Sequence, residues 1–168
     1  GGMTVEINAF WYNAVCFALE MATSAGDKAF VSEWKILPEL IKDSFQKTFW
    51  SEEREYLADY VDVNYKNWAI RPNMLAATFL PYSPLDREQK KSIISKVRNT
   101  LLTPRGLRTL APEDSAYKGE CGSTAREQAE AAHQGSVYPF LIFPFVKSYL
   151  DIHKAGGLSF VKNILNEF

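Results

Sequence analysis

The sequence predicts an all-α fold of helical hairpins joined by long polar loops. Apolar residues recur at three- and four-residue intervals in several segments, and Pro- and Gly-containing turns separate those segments. Alternate connections are long and polar. The 168 residues are 46% hydrophobic, which suits one domain with a substantial core. We expect a single unit over residues 1–168, with residues 1–2 as a remnant of cloning.

Two helices are predicted in the first 49 residues. The first spans 4–24, with Thr4 as N-cap and Glu6 in the first turn, where the helix dipole favours an acid. The second spans about 30–49, and Pro38 should bend or interrupt it, because proline lacks a backbone N–H.

The rest of the chain alternates irregular and helical segments. Residues 51–70 look irregular or briefly extended. Four further helices are predicted, over residues 71–80, 86–102, 137–154 and 158–168. Pro72 is tolerated in a first turn, and Asp86 is a natural cap. The connection over 103–134 is long and polar, with a short helix near 125–131, and connections of that length usually carry function.

Composition excludes several classes of partner. The formal net charge is −1, and no Lys or Arg run is interleaved with aromatics, so we expect no nucleic-acid partner. No apolar run is long enough to span a bilayer and no signal peptide is visible, so we expect a cytoplasmic protein without a membrane partner. Cys16 and Cys121 suggest neither a disulfide scaffold nor a zinc site, and Cys16 should be buried. No metal or organic cofactor is expected.

The segment His133–Phe140 is the strongest candidate for ligand contact. It combines an imidazole, an amide, a glycine that permits close backbone approach, and two aromatic faces. Such a set suits a neutral, hydroxyl-covered ligand such as a sugar. The alternative is a well-capped loop ahead of a helix.

Five blocks of the chain resemble one protein family. Val5–Ala14 is similar to the VEINALWYNAL block of bacterial glycogen debranching enzymes of the amylo-α-1,6-glucosidase type. Ile70–Asn73 resembles their IRPNQ, and Leu101–Leu110 resembles LLTPYGLRTL. Tyr117–Gly119 resembles YxG, and His133–Phe140 resembles HQGTVWPW. The blocks follow the family order and cover about the whole chain.

This resemblance implies a fold and a substrate class. The family's fold is an α/α toroid of six helical hairpins, so residues 1–168 would be an incomplete part of its catalytic domain, a partial α/α toroid. The implied partner is an α-glucan or oligosaccharide, hydrolysed at α-1,6-linked glucose branch stumps of glycogen-like glucans. The active site lies in a funnel at one end of the helices, which should bring Glu6, Arg71, Arg108 and His133 to a common mouth.

The predicted substrate-binding set comprises Glu6, Asn8, Trp11, Tyr12, Arg71, Asn73, Arg108, His133, Gln134 and Tyr138. Each has a structural alternative. Arg71 could donate a forked pair of hydrogen bonds to a sugar or form an ion pair within the protein. Trp11 and Tyr12 could form a stacking platform, although helical spacing predicts that at least one lies in the core.

The reacting groups are expected outside this chain. Glycoside hydrolysis needs two carboxyl groups across the scissile bond. The resemblance places the acid in a WMD block before VEIN and the base in an SEI block after the last helix, and neither block is present. Glu6 is a weak internal candidate. Asp59 and Asp62 are interpreted as solvated acids, with substrate binding by one of them as the alternative.

The chain departs from the family pattern at several positions. Met74 replaces a Gln, Tyr138 and Phe140 replace Trp, Ala132 replaces a Tyr, and Glu127 replaces an Asp. These changes keep two alternatives open. One is a non-catalytic glucan-binding or interaction module. The other is another α/α-toroid glycosidase related to trehalase or glucoamylase, against which the VEIN and LRTL blocks argue. A partial toroid should also expose apolar helix faces, which could support a dimer.

Overall fold

A computed structural model describes residues 2–167, and helices form its frame. These helices are α1 (Val5–Ala25), α2 (Lys28–Trp34), α3 (Leu37–Phe49), α4 (Ala76–Phe79), α5 (Arg87–Thr100), α6 (Ala125–His133), α7 (Ile142–His153) and α8 (Leu158–Asn166). Short 3-10 turns at Pro72–Leu75, Pro139–Leu141 and Lys154–Gly157 lead into α4, α7 and α8. Helix α1 packs on α3 and α4, and α7 packs on α4 and α5.

Three small antiparallel sheets lie in the connections between helices. Their strands are β1 (Met3–Thr4), β2 (Trp50–Ser51), β3 (Tyr56–Leu57), β4 (Tyr60–Asp62), β5 (Tyr65–Asn67), β6 (Leu102–Thr103), β7 (Gly106–Arg108) and β8 (Val137–Tyr138). The sheet orders are β1-β4-β5, β2-β3 and β6-β7-β8. Thr4 pairs with Tyr60, and Leu107 pairs with Tyr138, so the sheets join segments that are distant in sequence.

The first helix forms where its apolar spacing predicts. Gly26 ends it in the left-handed conformation, with φ of 74°, which suits a residue without Cβ. Thr4 occupies the N-cap position, but its side chain makes no capping hydrogen bond. Instead, a first-turn N–H of the helix is satisfied by another segment, since the N–H of Val5 donates to the carbonyl oxygen of Asp59 at 3.0 Å. The cap position was therefore predicted correctly and its mechanism was not.

Proline and aspartate fix the next boundaries. The predicted interruption at Pro38 is present, because α2 ends at Trp34 and α3 begins at Leu37 with the proline in its first turn. Asp86 caps α5 as predicted: its carboxylate accepts from the backbone N–H of Gln89 at 2.8 Å. The Gln89 side chain accepts in return from the backbone N–H of Asp86, which completes a capping box.

Two predicted helices differ from the structure. The segment predicted as a helix over 71–80 begins as a 3-10 turn and becomes α-helical only in α4. The helix predicted from 137 begins at Ile142, because Val137–Tyr138 instead pairs with β7. Cross-strand pairing over such a sequence distance leaves no trace in local periodicity, so the start of α7 was predicted wrongly.

The main core lies between α1, α4, α5 and α7. Its largest fully buried side chains include Phe49, Phe145, Leu57, Met74 and Leu75. Met74 belongs to this core, so the position where the family pattern has Gln contributes apolar packing in this chain. Two hydroxyls are also buried in the core, where Oγ1 of Thr78 and Oγ of Ser148 lie 2.7 Å apart and join α4 to α7.

Several large apolar side chains stay exposed. Ile7, Phe10, Phe17 and Met21 follow one stripe of α1, and Phe143 is exposed on α7. The expectation of exposed apolar helix faces is therefore met in the part that the structure describes, while the dimer stays a prediction. Cys16 is only partly buried, contrary to expectation, because it follows Val15, the last buried residue of α1, toward the end of the helix that is less covered. None of the helices described combines the length and apolarity that crossing a membrane requires.

Candidate functional site

Arg71 is the centre of a polar cluster that joins distant segments. The following proline favours extended backbone at this residue, which has φ of −130° and ψ of 157°. Its Nη1 donates to the carbonyl oxygen of Thr109 at 3.1 Å and to that of His133. Its Nη2 donates to Oε1 of Gln134 at 2.8 Å. The IRPN, LRTL and HQG blocks of the sequence therefore meet at this guanidinium.

Asp59 lies on another side of Arg71. Its Oδ2 is 3.6 Å from Nε of Arg71, and the two side chains are only 12% and 20% exposed. Its Oδ1 accepts from Nδ2 of Asn73 at 2.9 Å. The interpretation of Asp59 as a solvated surface acid was therefore wrong. The apolar run Tyr56–Ala58, which precedes it and is buried, is the sequence pattern that could have predicted this burial.

Backbone pairing places Glu6 beside this aspartate. The N–H of Val5 donates to the carbonyl oxygen of Asp59 at 3.0 Å, so the first turn of α1 lies against the aspartate. Burial raises the pKa of Asp59 above its ordinary value, and the nearby charge of Glu6 raises it further. The hydrogen bond from Asn73 and the charge of Arg71 act in the opposite direction without cancelling the rise. Two carboxyl groups thus share one partly buried cluster.

One oxygen of Glu6 lacks a hydrogen-bond donor. Its Oε2 is buried and has no hydrogen-bond partner among residues 2–167. Buried carboxylate oxygens are normally satisfied, so this atom marks a place where a donor is missing.

The turn after α6 packs closely against the YxG block. The N–H of Gly135 donates to Oγ1 of Thr109 at 2.9 Å, and the N–H of Lys118 donates to the carbonyl oxygen of Gln134 at 2.6 Å. Gly135 has φ of +147°, and a Cβ there would lie 2.6 Å from the carbonyl oxygen of Lys118 and 2.7 Å from the Tyr117 ring. Only glycine satisfies both conditions.

The structure brings together half of the predicted binding set. Glu6, Arg71, Asn73, His133 and Gln134 belong to one cluster, to which Asp59 is added. Three of the four residues expected at a common mouth, Glu6, Arg71 and His133, are therefore neighbours. His133 takes part through its backbone carbonyl, which accepts from Arg71, and His133 is an exposed residue.

Asn8, Trp11 and Tyr12 have other surroundings. Asn8 and Trp11 line a groove of about 320 Å³ between α1 and α3, where Phe45 also contributes. Tyr12 is buried, so it is the core member that helical spacing predicts for this pair. Burial, followed by the neighbouring Cys16 thiol, raises the pKa of Tyr12 to about 12.

Arg108 and Tyr138 lie on the neighbouring strands β7 and β8. Arg108 pairs with Val137 through the backbone, and no hydrogen bond or ion pair connects its side chain to the Arg71 cluster within the described range. The Tyr138 ring contacts Phe140, with ring centroids 5.5 Å apart. These two residues therefore flank the cluster without joining it.

Comparison with known proteins agrees with this architecture. The chain is similar in fold to neutral trehalase Nth1 from Saccharomyces cerevisiae, with a TM-score of 0.58 and 12% sequence identity. The likeness covers 97% of this chain and 32% of the trehalase chain, so the chain spans about a third of that protein's length. It confirms the predicted fold class, a partial α/α toroid. No curated protein matches the sequence.

The sequence places this helical fold among the glycoside hydrolase families. The family model for amylo-alpha-1,6-glucosidase matches residues 1–168, and the chain belongs to that family.

Proposed function

We propose that this chain supplies part of the saccharide-binding wall of a glycoside hydrolase. The substrate is α-1,6-linked glucose at the branch stumps of glycogen-like glucans. The observation that carries the proposal is the buried Oε2 of Glu6, which has no hydrogen-bond donor within residues 2–167. This oxygen belongs to the carboxyl group whose charge acts on the neighbouring Asp59. A buried acceptor without a partner is costly, and a sugar hydroxyl is a neutral donor that would satisfy it once the Glu6 side chain turns toward the ligand.

The neighbouring amides extend this wall. The guanidinium of Arg71 can only donate, so Gln134 presents its Oε1 to Arg71 and keeps both N–H groups of Nε2 for other partners. An ionised Asp59 can only accept, so Asn73 presents Nδ2 to it and keeps its own Oδ1 as an acceptor. Donors and acceptors in such a mixture match sugar hydroxyls, which both donate and accept.

We further propose that the acid and base of hydrolysis come from outside residues 1–168. Inverting glycosidases place their two carboxyl groups roughly 6.5–9.5 Å apart and retaining ones about 5–5.5 Å apart, in both cases across the scissile bond. Asp59 is committed to Asn73 and Arg71 on its two oxygens, and Glu6 lies beside it in the same cluster. Carboxyl groups held in this way are suited to binding a saccharide. They are poorly suited to attacking a glycosidic bond, because both oxygens of Asp59 already have partners.

Binding of a maltooligosaccharide that carries one α-1,6-linked glucose tests the proposal. Glu6→Gln replaces a charged acceptor, and hydrogen bonds to charged groups are worth about 1.5–3 kcal/mol, so affinity measured by calorimetry should fall at least about tenfold. Glu20→Gln is the matched control, because this exposed glutamate lies on the same helix, and it should bind like the unaltered chain.

Equal affinity of the Glu6→Gln and Glu20→Gln variants for the branched maltooligosaccharide would show that Glu6 does not contact the saccharide. Glucose release by the unaltered chain alone would contradict the placing of the acid and base. A linear maltooligosaccharide provides the comparison for linkage, and it should bind more weakly than the branched one.

A further inference from the structure

The guanidinium of Arg71 has almost no free donors. Arginine carries five N–H groups in a rigid planar fork. Both N–H groups of Nη1 are used by the carbonyl oxygens of Thr109 and His133, and one of Nη2 is used by Gln134. The single N–H of Nε faces Asp59. One N–H of Nη2 is left, so Arg71 cannot also give a saccharide the forked pair of hydrogen bonds that the sequence suggested.

The hydrogen bonds from Arg71 to His133 and Gln134 attach the C-terminal end of an exposed segment. Residues 112–133, which we call the flap, contain α6 and have predominantly exposed side chains. The flap is tied mainly to itself, because Glu130 forms ion pairs with Lys118 and with Arg126. Just before the flap, the N–H of Ala111 donates to the carbonyl oxygen of Ile70 at 3.1 Å.

The other end of the flap depends on side chains of neighbouring segments. Nη1 of Arg71 donates to the carbonyl oxygen of His133, the last residue of the flap, and Oγ1 of Thr109 accepts from the N–H of Gly135 just beyond it. Arg71 is itself held by the ion pair with Asp59. The flap end, the carboxyl pair and the RPN turn are thus joined through one side chain.

We propose that Arg71 is a positioning residue that locks the flap, and with it His133 and Gln134, against the carboxyl pair of Glu6 and Asp59. Its positive charge pairs with Asp59, and the planar set of N–H groups on its guanidinium binds the C-terminal end of the flap. The effect on saccharide binding rests on the proposed function, whereas the locking of the flap does not.

Lysine separates the two contributions. Arg71→Lys keeps the positive charge beside Asp59, but a single ammonium nitrogen cannot reproduce a planar fork that reaches three acceptors. Arg71→Met removes the charge and the fork together. Amide hydrogen exchange over residues 112–134 should therefore become at least about tenfold faster in both variants. The pKa of Asp59, followed by NMR, should rise in Arg71→Met and stay near its unaltered position in Arg71→Lys, because the charge of Arg71 lowers it.

Two further variants guard against general loss of structure. Gln134→Leu removes one acceptor and leaves Arg71 in place, so it should accelerate exchange in the flap by a smaller factor. Arg105→Met is the matched control, because Arg105 holds the carbonyl oxygen of Glu167 at 2.9 Å in another part of the fold, and it should leave flap exchange unchanged.

The outcomes separate the two proposals. Flap exchange that is the same in Arg71→Lys, Gln134→Leu and Arg105→Met overturns the lock. A loss of glucan affinity in Arg71→Lys without faster flap exchange also overturns it, since Arg71 would then act as a direct ligand. Faster flap exchange in both Arg71 variants, combined with no glucan binding by the unaltered chain, supports the lock and defeats only the proposed function.

Discussion

The buried hydroxyl pair between α4 and α7 allows a quantitative prediction. Thr78 is 3% exposed and Ser148 is 1% exposed. Oγ1 of Thr78 donates its one hydrogen to the carbonyl oxygen of Leu75 at 2.9 Å, so Ser148 must be the donor across the 2.7 Å contact. Helix α4 follows the turn that carries Arg71, and α7 follows the strand that carries Tyr138, so the pair joins the two sides of the site.

The two single substitutions should have unequal costs. Thr78→Val conserves shape but leaves the Ser148 O–H buried without an acceptor, which costs about 1–3 kcal/mol of unfolding free energy. Ser148→Ala removes the donor and leaves the bond from Thr78 to Leu75 intact, so its cost should be near 1 kcal/mol. In the double variant no hydroxyl is left unsatisfied, and its cost should be about 1 kcal/mol, well below the sum of the two.

Urea unfolding followed by circular dichroism measures all four free energies in one cycle. The m-value should stay constant across the four proteins, because none of the changes alters the area exposed on unfolding. A cost for Ser148→Ala that equals or exceeds that of Thr78→Val would refute the assignment of donor and acceptor. Additivity of the two single costs within about 0.3–0.5 kcal/mol would refute the coupling itself.

Two other substitutions test the site and its sheet. Because the folded pKa of Asp59 is raised above 3.8, the folded state binds its proton more tightly, and the unfolding free energy should fall as pH rises from 3.8 through the folded pKa. The free energy of the unaltered chain relative to Asp59→Asn, measured by urea unfolding across that range, should therefore fall with rising pH, and a rise would contradict the burial argument. Gly106→Ala forces a Cβ onto the carbonyl of Tyr138 at φ of +134°, so it should lower Tm clearly more than Gly26→Ala, which has open space at φ of +74° and costs about 1–2 kcal/mol.

Helix boundaries with local chemistry were predictable from the sequence. Asp86 and Gln89 form their capping box within one turn, and Pro38 divides two helices by its missing N–H. The start of α7 was not predictable in this way, since Val137–Tyr138 is extended by pairing with β7, a partner about thirty residues earlier.

The candidate site shows the same division. Glu6, Arg71 and His133 could be grouped through the family resemblance, although local periodicity alone gives no distance between them. The apolar run Tyr56–Ala58 was the local indication that Asp59 is buried, whereas the strand pairing that encloses Asp59 joins Thr4 to Tyr60 across about a third of the chain and has no local pattern. Trp11 was expected in a stacking platform within the same family block as Glu6, yet it lies toward α3, since residues five apart on a helix do not face the same way.

The bonds of Arg71 also bear on the order in which the chain folds. Its hydrogen bonds to Thr109, His133 and Gln134 span 38, 62 and 63 residues. Loop-closure entropy must be overcome before such contacts form, whereas α1 and α5 can form from neighbouring residues. The helical scaffold should therefore assemble first and the polar cluster last, so a chain trapped with native helicity would still lack the contacts that join Arg71 to Thr109, His133 and Gln134.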